Sequence, residues 1–351
     1  MRHQFIHDAS ESRVFYIIMM ARLVVHLTCS FPMKRRASLY HSRRLIAGLA
    51  TCLSLAHGPL AQADETVHSI DGVRGALHSS DTRQMFDASM SGKQNDGFGT
   101  RLPAGFTTAF LVAQMAPGEE AGSVVMAGAK PWPLRPHSYV AMLCLADNPA
   151  DAAEARKYGA PPCDILGDDA RDARRVWFGV FESTEAGAPR LVARTESPVA
   201  TPTDWNDTNI ELPDSLEEGA AGSDMKAMPT SWSRFDLAAY QLRTGEYAFG
   251  VRAGWSVGYA GGGADFEALY LFAIDGNTLH VVFAQPMAFD KMIAGDWHKD
   301  GTRSHDVDDG ANALTVLPST TAGYHDLQLR EKAGGKWRRT FKWSSADHRY
   351  Q

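Results

Sequence analysis

The chain has 351 residues, 44% of them hydrophobic, with a formal net charge of −6 and four cysteines. That length allows one large domain or two small ones. The negative balance excludes the strongly basic surface that nucleic acid or an anionic membrane would select.

The first organised feature is a basic run, Met33-Lys34-Arg35-Arg36, reinforced by Arg43-Arg44. An apolar stretch from Leu45 to Leu60 follows, then Ala61-Gln62-Ala63 and the acidic pair Asp64-Glu65. A charged n-region, an apolar h-region and small residues at the two positions a peptidase reads define a cleavable signal peptide over 33–63, cut between Ala63 and Asp64. Gly48, Gly58 and Pro59 would break a core helix there. Residues 1–32 precede this signal and read as a non-native extension, with Met33 as the true start. Ser42-Arg43-Arg44-Leu45-Ile46 resembles part of a twin-arginine motif but lacks its downstream Lys, which favours the general secretory route. The expected location is periplasmic or secreted.

Of the 351 residues, 288 follow Ala63, and they lose 8 of the 35 basic and 2 of the 41 acidic residues, giving a formal charge of −12. No stretch among them has the ~20 consecutive apolar residues of a membrane-spanning helix. Cys144 and Cys163 remain, an even pair in an oxidising compartment, and are expected to form a disulfide. Between them Asn148-Pro149 caps a short Ala-rich helix that runs to Lys157.

Residues 64–105 are polar and Gly-rich with no strong period. Strand signals then dominate: Phe106–Met115, Ser123–Ala129, Ser138–Leu145, Arg175–Glu182 and Arg190–Arg194 are short apolar or alternating runs bounded by Pro, Gly and Asp. These make 64–196 an N-terminal β-rich domain. Residues 197–230, with four prolines and Gly219-Ala220-Ala221-Gly222, read as a linker or long loop. The rest, 231–351, reads as an antiparallel β domain. Phe235–Leu242, Tyr247–Trp255, Ala268–Ile274, Thr278–Gln285, Ala311–Leu317, Asp326–Glu331 and Lys336–Trp343 are its predicted strands. Asp275-Gly276-Asn277 and Ala333-Gly334-Gly335 mark hairpins. The fold class is therefore mainly β: an antiparallel β-sandwich or open barrel with one short helix, in one or two β subdomains.

The densest polar constellation is Asp296-Trp297-His298-Lys299-Asp300-Gly301, followed by His305, Asp306, Asp308 and Asp309. Asp296, His298 and Asp300 stand at alternate positions before a turn-forming Gly, the layout with which loops wrap calcium, and Asp306 is the fourth candidate ligand. Gly295–Gly301 resembles the Asp-rich calcium loop of FG-GAP-type repeats, which implies calcium as a cofactor on a secreted β-protein. It departs from that pattern at His298, where Asp or Asn is expected, and at Ser304. The competing readings are a solvated turn between strands, and a zinc site through His298, His305 and a carboxylate.

Elsewhere the chemistry is sparse. Tyr259–Asp265 is Gly-rich but lacks the Lys-Ser/Thr and helix of a phosphate loop, and reads as a flexible connection. No G-x-S-x-G elbow is present. Asp265 and Glu267 would suit a glycosidase pair, but an acidic chain supplies such pairs by chance. Trp177, Trp255 and Trp343 fall on predicted strands and suit a core. The closing stretch from Gly323 to Tyr350 resembles the C-terminal hairpin of small uncharacterised bacterial exported proteins, a likeness that carries no activity. No catalytic residue is identified. The expectation is a non-enzymatic protein that binds a small molecule, a glycan or an envelope protein. The alternative is a secreted metal-dependent or carboxylate-based hydrolase.

Overall fold

Alternation along the strands of the second half sets up the architecture. In the computed structural model, β10 (Gly262–Asp275) turns Ala268, Tyr270 and Phe272 to one core and Leu269 and Leu271 to another. A strand buried on both faces forms the middle layer of a stack, because successive side chains project to opposite sides. The structure describes residues 65–91, 96–157, 163–164, 174–183, 189–213, 225–332 and 334–351. The predicted cleavage site at Ala61, Ala63 and Asp64 lies outside them. Residues 59–351 belong to one compact unit.

In chain order the elements begin with β1 (Glu65–Val67), α1 (Ile70–Ala76), α2 (Ser80–Ser91) and α3 (Thr108–Met115). Next come β2 (Val124–Pro131), β3 (Ser138–Leu145), α4 (Pro149–Lys157), β4 (Arg175–Glu182) and β5 (Arg190–Arg194). Two short strands, β6 (Thr203–Asp204) and β7 (Lys226–Ala227), precede β8 (Ser231–Arg243) and β9 (Glu246–Tyr259). After β10 follow β11 (Thr278–Trp297), β12 (Arg303–Thr321), β13 (Tyr324–Glu331) and β14 (Arg338–Phe341). The pair β15 (Trp343–Ser344) and β16 (Arg349–Tyr350) closes the chain.

Strands β2–β5 form one antiparallel meander and β8–β14 another, and a single parallel contact, Arg194 to Thr278, joins them into one sheet. The first half of β12 pairs with β11 and its second half with β13, so the sheet folds over on itself. One face of β8–β10 packs on β2–β4 through Phe178, Trp232, Phe249, Tyr270 and Phe272. The other face packs on β13, β14 and β16 through Leu269, Leu271, Leu327, Leu329 and Phe341. Segments on either side of the predicted 197–230 linker thus share a core, and Trp205 from within that stretch is buried in it.

The mainly β class is as expected, and it is a layered stack of one folded mixed sheet with small extra sheets. β3, β4 and β5 keep their expected bounds, and the Cys144–Cys163 disulfide joins Cα atoms 5.8 Å apart. Three expectations are corrected. Phe106–Met115 is not a strand. Thr107 caps α3 by accepting the Phe110 amide, and Leu111, Val112 and Met115 lie on β2–β4 at helical spacing. The helix count is also wrong: α1, α2 and α3 join the single expected helix, α4. α1 and α2 are short and bury few side chains (Val73, Ala76, Thr82 and Phe86), which leaves a weak helical period in the sequence. Finally, Tyr259–Asp265 is not a loose connection. Only Ala260 and Gly261 form the turn, with Gly261 at φ +90°, and a Cβ on Gly262 would stand 2.0 Å from the Met292 carbonyl oxygen.

Candidate functional site

α2 starts with a reciprocal cap. The Ser79 hydroxyl accepts the Thr82 amide at 3.0 Å, and the Thr82 hydroxyl accepts the Ser79 amide at 3.3 Å. The helix then presents Asp81, Gln84, Met85 and Ala88 along one side, the i, i+3, i+4, i+7 row of a helix face. Facing that row are Arg234 on β8, Ser256 on β9, and Asp265 and Glu267 on β10. The cleft so formed has a volume of about 810 Å³, and Phe98, Trp232, Trp255 and Phe266 add apolar surface to its lining.

Strand register places a row of polar side chains beside the cleft. Ser256 is the cross-strand partner of Asp265, Asp265 of Asp290, and Asp290 of Asp309. Directly opposed residues project to the same side, with Cα atoms about 4.5–5.5 Å apart, so three carboxylates stand abreast on adjacent strands. The ends of the row are satisfied. Ser256 Oγ donates to Asp265 at 2.5 Å. Asp309 accepts the His78 amide at 3.1 Å and the Thr82 hydroxyl at 2.6 Å, and lies 2.7 Å from His78 Nδ1.

The middle is not satisfied. Asp290 is 6% exposed and its Oδ1 has no hydrogen-bond partner among the described residues. Burial, followed by the charges of Asp265 and Asp309, pushes its carboxyl up to about 8. At neutral pH Asp290 is therefore a carboxylic acid, able to donate as well as accept.

A second buried group neighbours this row. Glu267 accepts from Arg234 Nη1 at 2.5 Å and from Arg252 Nη1 at 3.0 Å, and Asp236 takes the Arg252 Nε at 2.8 Å. Burial disfavours the charge on Asp236, but the Arg252 charge and hydrogen bond prevail and hold its carboxyl low. Arg252 shows the same balance: burial opposes its charge, and Glu267 and Asp236 outweigh it to raise its pKa. Glu267 is thereby committed to two arginines, so Asp290, not Glu267, is the carboxyl next to Asp265 with chemistry to spare.

The residues singled out by sequence spacing lie elsewhere, around the β11–β12 hairpin. The His298 amide donates to the Thr302 carbonyl at 2.8 Å, the Gly301 amide to the His298 carbonyl at 3.1 Å, and Gly301 sits at φ +84°. Asp300 accepts the Thr302 hydroxyl and amide at 2.6 and 3.0 Å and lies 3.2 Å from His68 Nε2. These hydrogen bonds, that of the Thr302 side chain foremost, draw its carboxyl well below the usual range. His68 stacks on His298 with ring centroids 4.0 Å apart. Asp306 accepts the Thr66 hydroxyl at 2.7 Å, and Ser304 Oγ reaches only the Asp296 main-chain oxygen. The segment is a tight turn held by Asp300 and Thr302 and by contacts with Thr66 and His68 at β1. Among the described residues, no group of three or more His, Cys, Asp or Glu side chains is arranged to hold a metal ion, by the Asp296–Asp300 spacing or by His298 with His305.

Asp290, Asp309 and His78 are the site residues that sequence reading passed over or left unassigned. The one local signal is a charged residue at the alternation position of Ala288 and Met292 in a long apolar strand. Comparison with protein-family models, curated proteins and solved structures finds no match.

Proposed function

We propose that this is an exported, non-enzymatic binding protein whose ligand is a small molecule held in the cleft between α2 and β8–β10. The cleft itself is the observation that carries this reading. Its 810 Å³ falls in the size range of small-molecule sites (about 300–1,000 Å³), and it combines aromatic surface with a few convergent polar groups. The signal-peptide pattern of 33–63 supports export, where such proteins capture solutes. Trp232 and Trp255 line the cleft and supply the readout. A library of amines, sugars and amino acids is titrated against intrinsic fluorescence and melting temperature. At least one compound is expected to shift both, and Ala88→Trp, which fills the cleft from α2, is expected to abolish the shifts. Binding that survives Ala88→Trp unchanged would place the ligand elsewhere and end this reading.

One observation favours a second reading, a carboxylate-based hydrolase. A protonated Asp290 beside Asp265 has the pairing of a general acid with a second carboxylate. Hydrolysis of chromogenic glycosides or esters that vanishes in Asp290→Asn would favour it over binding alone. Activity unchanged in that variant would remove it.

A further inference from the structure

Three aspartates stand abreast beside the cleft, with donors at both ends of the row and none in the middle. Asp265 has Ser256, and Asp309 has His78 and Thr82. Asp290, more than nine-tenths buried, has an Oδ1 that no donor among the described residues reaches. The nearby arginines are committed, Arg234 to Glu267 and Arg252 to Glu267 and Asp236. Lys291 follows Asp290 on the strand, projects to the opposite side and pairs with Glu211. A buried carboxyl without a donor is costly unless a proton or an outside donor satisfies it. Asp265 lines the cleft, so a donor arriving from the cleft meets this row first at Asp265.

We propose that the Asp265–Asp290 pair is the recognition point for a cationic nitrogen, and that the cleft takes a compact organic cation of the amidinium or guanidinium kind. This rests on the cleft being the binding site. A planar cation with several N–H donors matches neighbouring carboxylates by forked, charge-assisted hydrogen bonds. The formal −12 of residues 64–351 draws cations towards the protein.

Holding a cation there requires Asp290 to ionise. Its proton is held to about pH 8 by burial and by Asp265 and Asp309. Around it, Glu267 on β10 and Arg252 on β9 are already paired, Arg83 on α2 donates to the Leu77 carbonyl, and His78 and Asp81 belong to the α1–α2 segment. His78 lies against Asp309, and Asp81 pairs with Lys332. A cation therefore enters in exchange for a proton, and its affinity rises with pH by up to about tenfold per unit until about pH 8.

Benzamidine, a permanent cation across this range, and its neutral isostere benzamide test the inference by calorimetry at about pH 6 and about pH 8.5. Benzamidine is expected to bind at least about tenfold more tightly than benzamide, to gain about tenfold or more at the higher pH, and to release a proton at the lower. Asp290→Asn should weaken benzamidine by about tenfold or more and flatten the pH dependence, and Asp265→Asn should weaken it comparably. The melting temperature of each variant reports folding, and Asp290→Asn is close in shape to the protonated acid it replaces. Benzamidine binding unaltered by both substitutions overturns the proposal. Benzamide binding as tightly as benzamidine, with both lost in Ala88→Trp, overturns the cation but keeps the cleft. Failure of both compounds to bind also overturns the cation, and the library titration then decides the cleft on its own.

Discussion

Asp290 has exchanged water for a place between two other carboxylates, and the sign of its effect on stability follows. Its folded pKa of about 8 lies above the unfolded value near 3.9. Between those values the folded protein holds a proton that the unfolded chain has released. Stability therefore falls as pH rises from about 4 to about 8, by at most about 1.4 kcal/mol per unit, and levels off above. Asp236 acts in the opposite sense. Burial resists its charge, but Arg252 keeps its pKa below the unfolded value, so its contribution is present at neutral pH and is lost as pH falls through the folded pKa. Urea unfolding at about pH 5, 7 and 9 should show stability declining with pH in the parent protein. Asp290→Asn should remove most of that slope, and a slope unchanged in the variant would contradict this account. Glu267→Gln tests the neighbouring group. It leaves Arg252 and Arg234 less compensated and should cost about 3–5 kcal/mol, because removing one partner strands a buried charge.

At the level of elements, Asp309 is the polar tie between the α1–α2 segment and β12. Asp309 accepts from the main chain of His78 and the hydroxyl of Thr82, at the point where α2 is capped. Beneath it Val73, Ala76, Leu77 and Phe86 pack on Val307, with Met292 at the margin. Asp309→Ala should leave Thr82 and the His78 amide without their acceptor, at about 1–3 kcal/mol. Hydrogen exchange would then speed up across residues 71–91 while β9 and β10 keep their protection. Equal loss of protection in both regions would mean that α1 and α2 are not a separately held unit. Since α2 forms one wall of the cleft, the same variant should also weaken any ligand that binds there.

Over the whole molecule, the disulfide ties β3 to the Cys163–Asp164 segment before β4, and that segment in turn bonds to β8. Cys144 lies within the run of fully buried residues on β3, while the Cys163 carbonyl accepts the Trp232 amide and Asp164 bridges to Ser231 on β8. Because β2–β4 and β8–β10 also share a core, the chain from Asp64 onward should unfold in one cooperative step. Reduction, or Cys144→Ala with Cys163→Ala, should lower its stability by about 3 kcal/mol without splitting the transition. Two separate transitions in calorimetry would show that 231–351 folds independently.

What the sequence determined by itself is the part that local chemistry controls. The short apolar runs Ser138–Leu145 and Arg175–Glu182, Asp275-Gly276-Asn277 at a turn, the Asn148-Pro149 helix start and the Cys144–Cys163 pair are all legible there. In Phe106–Met115 the short apolar run Ala109–Ala113 suits strand and helix alike, and the Thr107 cap makes it a helix. The acidic stretch after Asp296 drew attention because its residues are close in sequence, yet most of their hydrogen bonds are spent on one turn and on β1. The site is a product of strand pairing. Asp265, Asp290 and Asp309 lie about twenty residues apart in the chain and become neighbours through the register of three long strands. The arginines that could have neutralised the middle one are drawn off by Glu267 and Asp236. Register and burial are properties of paired segments, and no window on a single segment contains them.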